Sequence, residues 1–408
     1  MKWFKTKEVR NRIFYTLIIL AIFELGTYIT LPYISTVSGG SLNSLGNLLN
    51  ITTGGSLGRF GFLALGISPY VTASIVVQLL TKGIPQLKRI SEKGDTGKRK
   101  IAQYTRLVSI VFAFLTAFSF IFNPHLAVTM GVIVEATIKQ RFLLCLIMTA
   151  GSIFTIWLSE KIDKYGIGQG SSLLIGFGIL ANIPQQAYSV INDYKNYANT
   201  NNLPYYFQNV AILLGVLTLI VVISIFANNK EYKLPIQSKT NKYPMKAHYF
   251  PIKLLASSVM PIIFATAIMT VFNIYATYQN YWWEWTDYST VQGLIVFSIT
   301  IFFFSFIYNY IQFDGEEISK NFNESGVYFI GVPNTQTAKH LNKKLFLITL
   351  KGAPLLTFLG TVAIGIELLL PFKIALSGIS ILIIVGVIQE IKHQVNGLIG
   401  KHQYKEIF

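Results

Sequence analysis

Apolar residues run along this chain in long blocks rather than in the short periodic stripes of a water-soluble fold. Ten windows, at 13–31, 60–81, 104–122, 141–159, 171–191, 206–227, 254–275, 291–311, 345–370 and 377–391, are bounded by charge, Pro or Gly. Most of them reach about the 20 residues that a helix needs to cross the hydrocarbon of a bilayer. The pattern predicts an all-α membrane protein of ten transmembrane helices. Spans and connections use up the length, which leaves no room for a soluble catalytic domain. The first window is long enough to span and lacks a small-residue cleavage site, so it reads as a retained signal-anchor.

An even number of crossings puts both termini on one side, and Lys and Arg say which. The amino-terminal tail carries Lys2, Lys5, Lys7, Arg10 and Arg12, and the loop after the second window carries eight basic residues from Lys82 to Arg106. Alternation places 28 basic residues on that side and five on the other (Arg59, Lys139, Arg141, Lys195 and Lys373). Both termini are therefore expected in the cytosol. Composition agrees: of 408 residues 52% are hydrophobic and 13% charged, half the share of about 25% typical of soluble domains. The formal charge of +16 is that of the cytosolic face, an orientation signal rather than a nucleic-acid footprint. One cysteine, Cys145, excludes a disulfide framework.

Three regions are neither spans nor short loops. Residues 38–59 are Gly- and Ser-rich yet lie between two spans on the outer side, with a weakly amphipathic stretch from Leu42 to Ile51, which predicts a short helix tucked into a cavity. The cytosolic loops 228–252 and 312–343 are longer than packed helices require and are expected to project toward a partner. The outer run Tyr281-Trp282-Trp283-Glu284-Trp285 fits an aromatic belt.

Candidate chemistry inside the spans is sparse. Glu24, Lys351 and Glu367 lie toward span ends, where a charge can reach the interface. Five histidines are scattered without metal-ligand spacing, and no phosphate-binding Gly-x-x-x-x-Gly-Lys-Ser/Thr occurs. A polytopic enzyme would need clustered His, Asp or Glu, and a secondary transporter a buried ion-coupling site. No enzyme activity, metal or cofactor is expected. Interrupted helices stand out instead: Gly66-Ile67-Ser68-Pro69-Tyr70, Gly166 to Ser172, and Ser257-Ser258-Val259-Met260-Pro261. Broken helices in corresponding parts of two halves point to a shared cavity, in a transporter or a channel.

The run Ala64 to Leu80 (ALGISPYVTASIVVQLL) resembles the signature of the SecY family, the channel subunit of the protein-export translocon. Glu92 to Arg106 is similar to the family's first large cytosolic loop, and Gly166 to Leu174 to its fifth-helix entry. Phe250 to Lys253 with Met260 to Ala265 resembles its seventh helix, and Ser325-Gly326 with Thr335 to Ala338 its fifth cytosolic loop. The resemblance implies a clamshell of two five-helix halves, residues 1–191 and 206–391, with a short cytosolic tail at 392–408. It implies a plug at 38–59 and a pore ring of Ile67, Val71, Ile175, Ile263 and Ile383. A side gate would lie between the second and seventh spans, for which Ser74, Gln78 and Asn273 are candidate polar lining; packing between helices is the alternative reading. Implied partners are a motor ATPase of the SecA type, SecE- and SecG-like membrane subunits, a preprotein bearing a signal sequence, and membrane lipids. The motor would dock on Lys239, Lys242, Lys246, Lys339 and Lys343. The implied location is the bacterial cytoplasmic membrane.

Departures from the family pattern narrow this. Where the family typically has Gly-Ile-Arg-Pro-Gly, this chain has Gly331-Val332-Pro333-Asn334, and the docking arginine is gone. Loop 228–249 carries scattered lysines in place of an arginine-rich run, and a lysine is a point charge rather than a planar fork. These changes resemble the accessory SecY branch of some Gram-positive bacteria, which works with a dedicated motor paralogue and exports serine-rich glycosylated adhesins. The housekeeping channel with general cargo is the alternative.

Overall fold

The computed structural model describes residues 7–36, 50, 53–122, 132–134, 136–199, 203–238, 248–255, 260–278, 283–286, 290–313, 315–333, 336–369 and 378–407. The chain forms α1 (Lys7–Thr27), β1 (Ile34–Thr36), α2 (Ser68–Gly83), α3 (Pro85–Ser91), α4 (Asp95–Phe122), β2 (Val132–Val134), α5 (Ile138–Tyr165), α6 (Gly170–Asn199) and α7 (Leu203–Asn229). It continues through β3 (Glu231–Ser238), β4 (His248–Lys253), α8 (Met260–Tyr278), α9 (Val291–Gln312), α10 (Gly315–Glu324), β5 (Val327–Phe329), α11 (Thr337–Leu369) and α12 (Gly378–Ile407). A helix occupies each of the ten apolar windows. Among the described residues, stretches covering α4, α5, α7, α9 and α11 are long and apolar enough to cross a membrane on length and composition alone.

The outer surfaces of these helices are apolar. Phe14, Leu17 and Leu25 on α1, Leu214, Val222 and Phe226 on α7, and Ile295, Ile299 and Phe303 on α9 are all exposed. Water would penalise such faces, whereas hydrocarbon does not. Several polar side chains that point inward are satisfied locally. Thr149 donates to the Cys145 carbonyl at 2.7 Å, Thr155 to Gly151 at 2.9 Å and Ser305 to Ile301 at 2.8 Å, each within its own helix. Between helices, Asn309 Nδ2 donates to Thr349 Oγ1 at 2.6 Å, and the Ser298 and Thr361 hydroxyls pair at 2.7 Å, joining α9 to α11. In a medium without water each pairing avoids an unmet polar group.

Two expectations are corrected. The second window does not become helical at residue 60. Residues 53–67 run as successive turns, with left-handed backbone at Phe60 and Gly66, and α2 starts only at Ser68 with Pro69 in its first turn. The turns are pinned across to the end of α1: the Leu31 N–H donates to the Phe60 carbonyl at 3.1 Å, and the Phe62 N–H to Ile29 at 2.7 Å. Nor are the two long loops simple projections. They fold together into a three-stranded antiparallel sheet in the order β4-β3-β5, with Ile236 opposite Phe329 in register. Tyr232, Leu234 and Ile236 alternate with exposed neighbours and pack on Phe250, Phe322, Phe329 and Leu341. A second, two-stranded sheet pairs β1 with β2. The tail expected at 392–408 continues α12 as helix to Ile407.

The span-end charges behave as their positions suggest. Lys351 is exposed on α11, with Nζ 5.8 Å from the centre of the Tyr232 ring of the sheet. Arg59, whose charge opposes Glu24, stacks on Tyr28 at 4.6 Å. The side chain of Glu367 lies outside the described residues, as does most of segment 38–59; Asn50 and Thr53 to Arg59 are described.

Close backbone approach decides where the turn segment sits. A Cβ at Gly151 of α5 would run into the carbonyl oxygen of Phe62, whereas one at Gly215 of α7 would meet nothing within 4 Å. Gly151→Ala is therefore expected to destabilise the folded chain in detergent by about 1–3 kcal/mol, the usual cost of overpacking. Gly215→Ala should leave the thermal unfolding midpoint unchanged or slightly raised.

Candidate functional site

The five aliphatic residues expected to ring a pore come from four parts of the chain. Ile67 is the last turn residue before α2 and Val71 lies in that helix's first turn. Ile175 sits near the start of α6, Ile263 near the start of α8, and Ile383 near the start of α12. All five are between 4% and 8% exposed and belong to the main buried core, with Leu174, Ile179, Ile262, Phe264, Leu382 and Val387 among its other members.

Local geometry explains why these positions converge. Gly66 takes φ +53°, which reverses the chain just before Ile67, and Ser152 on α5 donates to the Gly66 carbonyl at 3.2 Å. The entry to α6 is held from three sides. Asp163 Oδ1 accepts from the Gly170 N–H at 2.6 Å, Thr16 Oγ1 on α1 accepts from the Ile167 N–H at 3.0 Å, and Gln394 Oε1 on α12 accepts from the Gly168 N–H. One otherwise orphaned amide of the helix start, that of Gly170, is thus partnered, the two residues leading into it are tied to α1 and α12, and Ile175 follows on a fixed entry. Around this joint Val9, Ile13, Ile167, Val395 and Leu398 form a small apolar cluster of their own, which ties α1 to the extension of α12.

On the face of the molecule that carries the basic loops, the aliphatic cluster meets a cavity of about 190 Å³. Ile263, Ile383 and Val387 supply its apolar part. Gln169, Ser172, Asn228, Lys253, Gln312, Glu390 and His393 supply a polar mouth. Burial pushes the Lys253 ammonium below its usual range, against the pull of Glu231 and Glu390. Burial, then the Lys253 charge beside it, likewise holds the His393 ring below its ordinary value. The arrangement is a cavity with polar side chains on part of its wall and aliphatic groups that offer no hydrogen bond on the rest. Nothing in it resembles a nucleophile and base, and among the described residues no cluster of His, Cys, Asp or Glu is placed to hold a metal. What it can do physically is exclude ions from a narrow apolar constriction while leaving an unfolded chain nothing to adhere to.

The remaining candidates fare differently. α2 packs along α8, with a smaller contact on α9. On α2, Gln78 Nε2 donates to Ser74 Oγ at 2.8 Å, so these two partner each other along one helix. Asn273 lies on α8, with its side chain outside the described residues. Ser171, in the first turn of α6, is buried. Lys339 and Lys343 stand exposed one turn apart at the start of α11, next to the sheet, while Lys239, Lys242 and Lys246 lie outside the described residues. The sheet itself was missed in the sequence, although the alternation Tyr232, Leu234, Ile236 carries its signal.

Comparison with known proteins is consistent along the chain. A family model described as SecY matches residues 61–392. The protein translocase subunit SecY of Staphylococcus carnosus is 32% identical over 426 residues, covering 99% of this chain and 98% of that protein. The corresponding subunit of Streptococcus sanguinis is 31% identical, covering 98% and 96%. Among solved structures, one described as the structure of a protein conducting channel superposes with a TM-score of 0.69 at 19% identity, covering 95% of this chain and 91% of its own. Sec61 in a canine ribosome-channel complex from the endoplasmic reticulum superposes with a TM-score of 0.64 at 19% identity and the same coverage.

Proposed function

The chain belongs to the SecY family and is a channel subunit rather than an enzyme, and from that premise we propose that it passes unfolded preproteins through the ring of Ile67, Val71, Ile175, Ile263 and Ile383. The observation that carries the reading is that all five residues are buried in one core, of which Ile263 and Ile383 also line the polar cavity. A chain in transit would replace the side chains' contacts with one another, and the aliphatic walls would close behind it.

In this reading the basic face is cytosolic, both termini included, and the membrane is the bacterial cytoplasmic membrane. Segment 38–59 is the plug, and Ser74, Gln78 and Asn273 line the side gate between α2 and α8. The energy comes from a motor ATPase of the SecA type that engages the sheet platform and the Lys339 and Lys343 face of α11, together with Lys239, Lys242 and Lys246. SecE- and SecG-like subunits complete the complex, and signal sequences leave through the gate into lipid. The loss of the loop arginine at Gly331-Val332-Pro333 supports a dedicated motor paralogue, and with it the accessory branch and its serine-rich glycosylated cargo. The housekeeping channel is the second reading, favoured by relatives named simply SecY at 31–32% identity over nearly the whole chain.

Replacing Ile67 by Gly together with Ile263 by Asn widens and wets the constriction, so the resting channel in planar bilayers is expected to conduct ions well above the unaltered protein. Unchanged conductance would remove both residues from the ring. A photo-crosslinker at Lys339 in intact cells is expected to capture a motor ATPase distinct from the housekeeping one. Capture of the housekeeping motor or of ribosomes alone would refute the accessory assignment.

A further inference from the structure

The seam between the two halves of the molecule is closed in the apolar zone by α2 against α8 and α9. At its end on the basic face, three polar contacts cross from residues 82–98 to residues 310–317. Lys88 Nζ lies 3.4 Å from Glu316 Oε2, and Lys98 Nζ lies 3.9 Å from Glu317 Oε1. Lys82, at the end of α2, places its ammonium 5.9 Å from the centre of the Tyr310 ring near the end of α9. All three join elements more than 200 positions apart in sequence. We infer that Lys88 and Lys98 with Glu316 and Glu317 form a charge latch across the basic end of the seam, which must part before the halves can separate.

The carriers of these charges are seated rather than loose, which distinguishes a latch from surface decoration. Gly315 at the start of α10 lies so close to Asn342 of α11 that a Cβ would collide with its side chain, and Ser319 is buried. Ile318 and Phe322 of α10 pack into the core of the three-stranded sheet. On the opposite side, Gly97 sits against the Ile90 carbonyl, which locks the corner between α3 and α4. Glu316 and Glu317 therefore move with the sheet platform, and Lys88 and Lys98 with α2. Lys88 also reaches Glu92 of its own corner at 4.0 Å, a partner that remains when the cross-seam pair opens.

All four side chains are largely exposed. Exposed pairs are individually weak and screened by salt, so the latch is one that a docking partner can open with little work. A load on the β3-β4-β5 platform displaces α10 and with it both carboxylates. Charge is thereby coupled to the seam without any change in the aliphatic ring. The consequence for export rests on the channel reading; the latch itself is a statement about distance, and the test reads distance.

Nitroxide labels at Arg89 and Lys320, two exposed positions outside the latch, report separation across the seam in the full chain in liposomes; Cys145, the one native cysteine, is buried. A narrow distance distribution is expected at about 0.15 M salt, with a longer population growing at about 1 M. Lys88→Glu with Lys98→Glu, or Glu316→Lys with Glu317→Lys, should raise the long population about threefold to tenfold, the scale of one or two exposed ion pairs. The variant with all four reversals should restore the narrow distribution. Glu316→Gln with Glu317→Gln, which preserves shape, should give an intermediate result if reversal impairs insertion. Reversals that leave the distribution unchanged, or a fourfold variant that fails to restore it, would overturn the latch. Conductance through an altered ring tests the channel reading separately.

Discussion

The packing of aliphatic side chains from four separated parts of the chain, Ile67 with Val71, Ile175, Ile263 and Ile383, into one buried core is what the rest of the structure depends on. These residues share no helix pair that would bring them together by local folding alone. They share one core because α2, α6, α8 and α12 each bury residues from near their starts in it, and because the backbone just before two of those helices is pinned by hydrogen bonds. Aliphatic groups suit the task because their attraction is non-directional and leaves no polar group unmet when the contact is broken. A seal made of hydrogen bonds would need new partners each time it opened.

The membrane imposes the complementary constraint. The hydroxyls of Thr149 and Thr155 bond to carbonyls one turn back, and Asn309 of α9 donates to Thr349 of α11, so the polar atoms joined in these bonds do not need water. Charge is displaced to the ends. There it lines the cavity mouth through Lys253 and Glu390, reaches the sheet through Lys351, and crosses the seam through Lys88 and Glu316. The sheet built from two loops gives the basic face a rigid surface, with an aromatic core of Phe250, Phe322 and Phe329, set beside the cavity and joined to α10 and α11.

Much of this was legible in the sequence, for physical reasons that also explain the rest. Hydrocarbon thickness selects long apolar windows, so ten helices fall on ten windows. Their ends are less legible, because hydropathy sees only the part in lipid: α11 begins eight residues before its window and α12 runs on to Ile407. The stretch 60–67 is apolar enough to read as helix, yet Gly61 and Gly66 permit turns that tertiary bonds to α1 and α5 then select. The sheet was overlooked because its strands lie in loops dominated by lysine, where the alternation of Tyr232, Leu234 and Ile236 is easily masked. The ring is proposed through motif resemblance, since in sequence a pore-facing isoleucine carries no sign that sets it apart from an ordinary core one. That Ser74 and Gln78 would partner each other is foreseeable from their spacing of four.

The account holds that the halves part along α2 and α8 whenever a chain enters, so fixing that seam should stop transport. Cysteines in place of Ser74 and Asn273 can be oxidised in membranes, and export of a signal-bearing preprotein followed before and after reduction. Export is expected to cease when the disulfide forms and to resume when it is reduced. Export that continues at its normal rate with the crosslink complete would contradict the account.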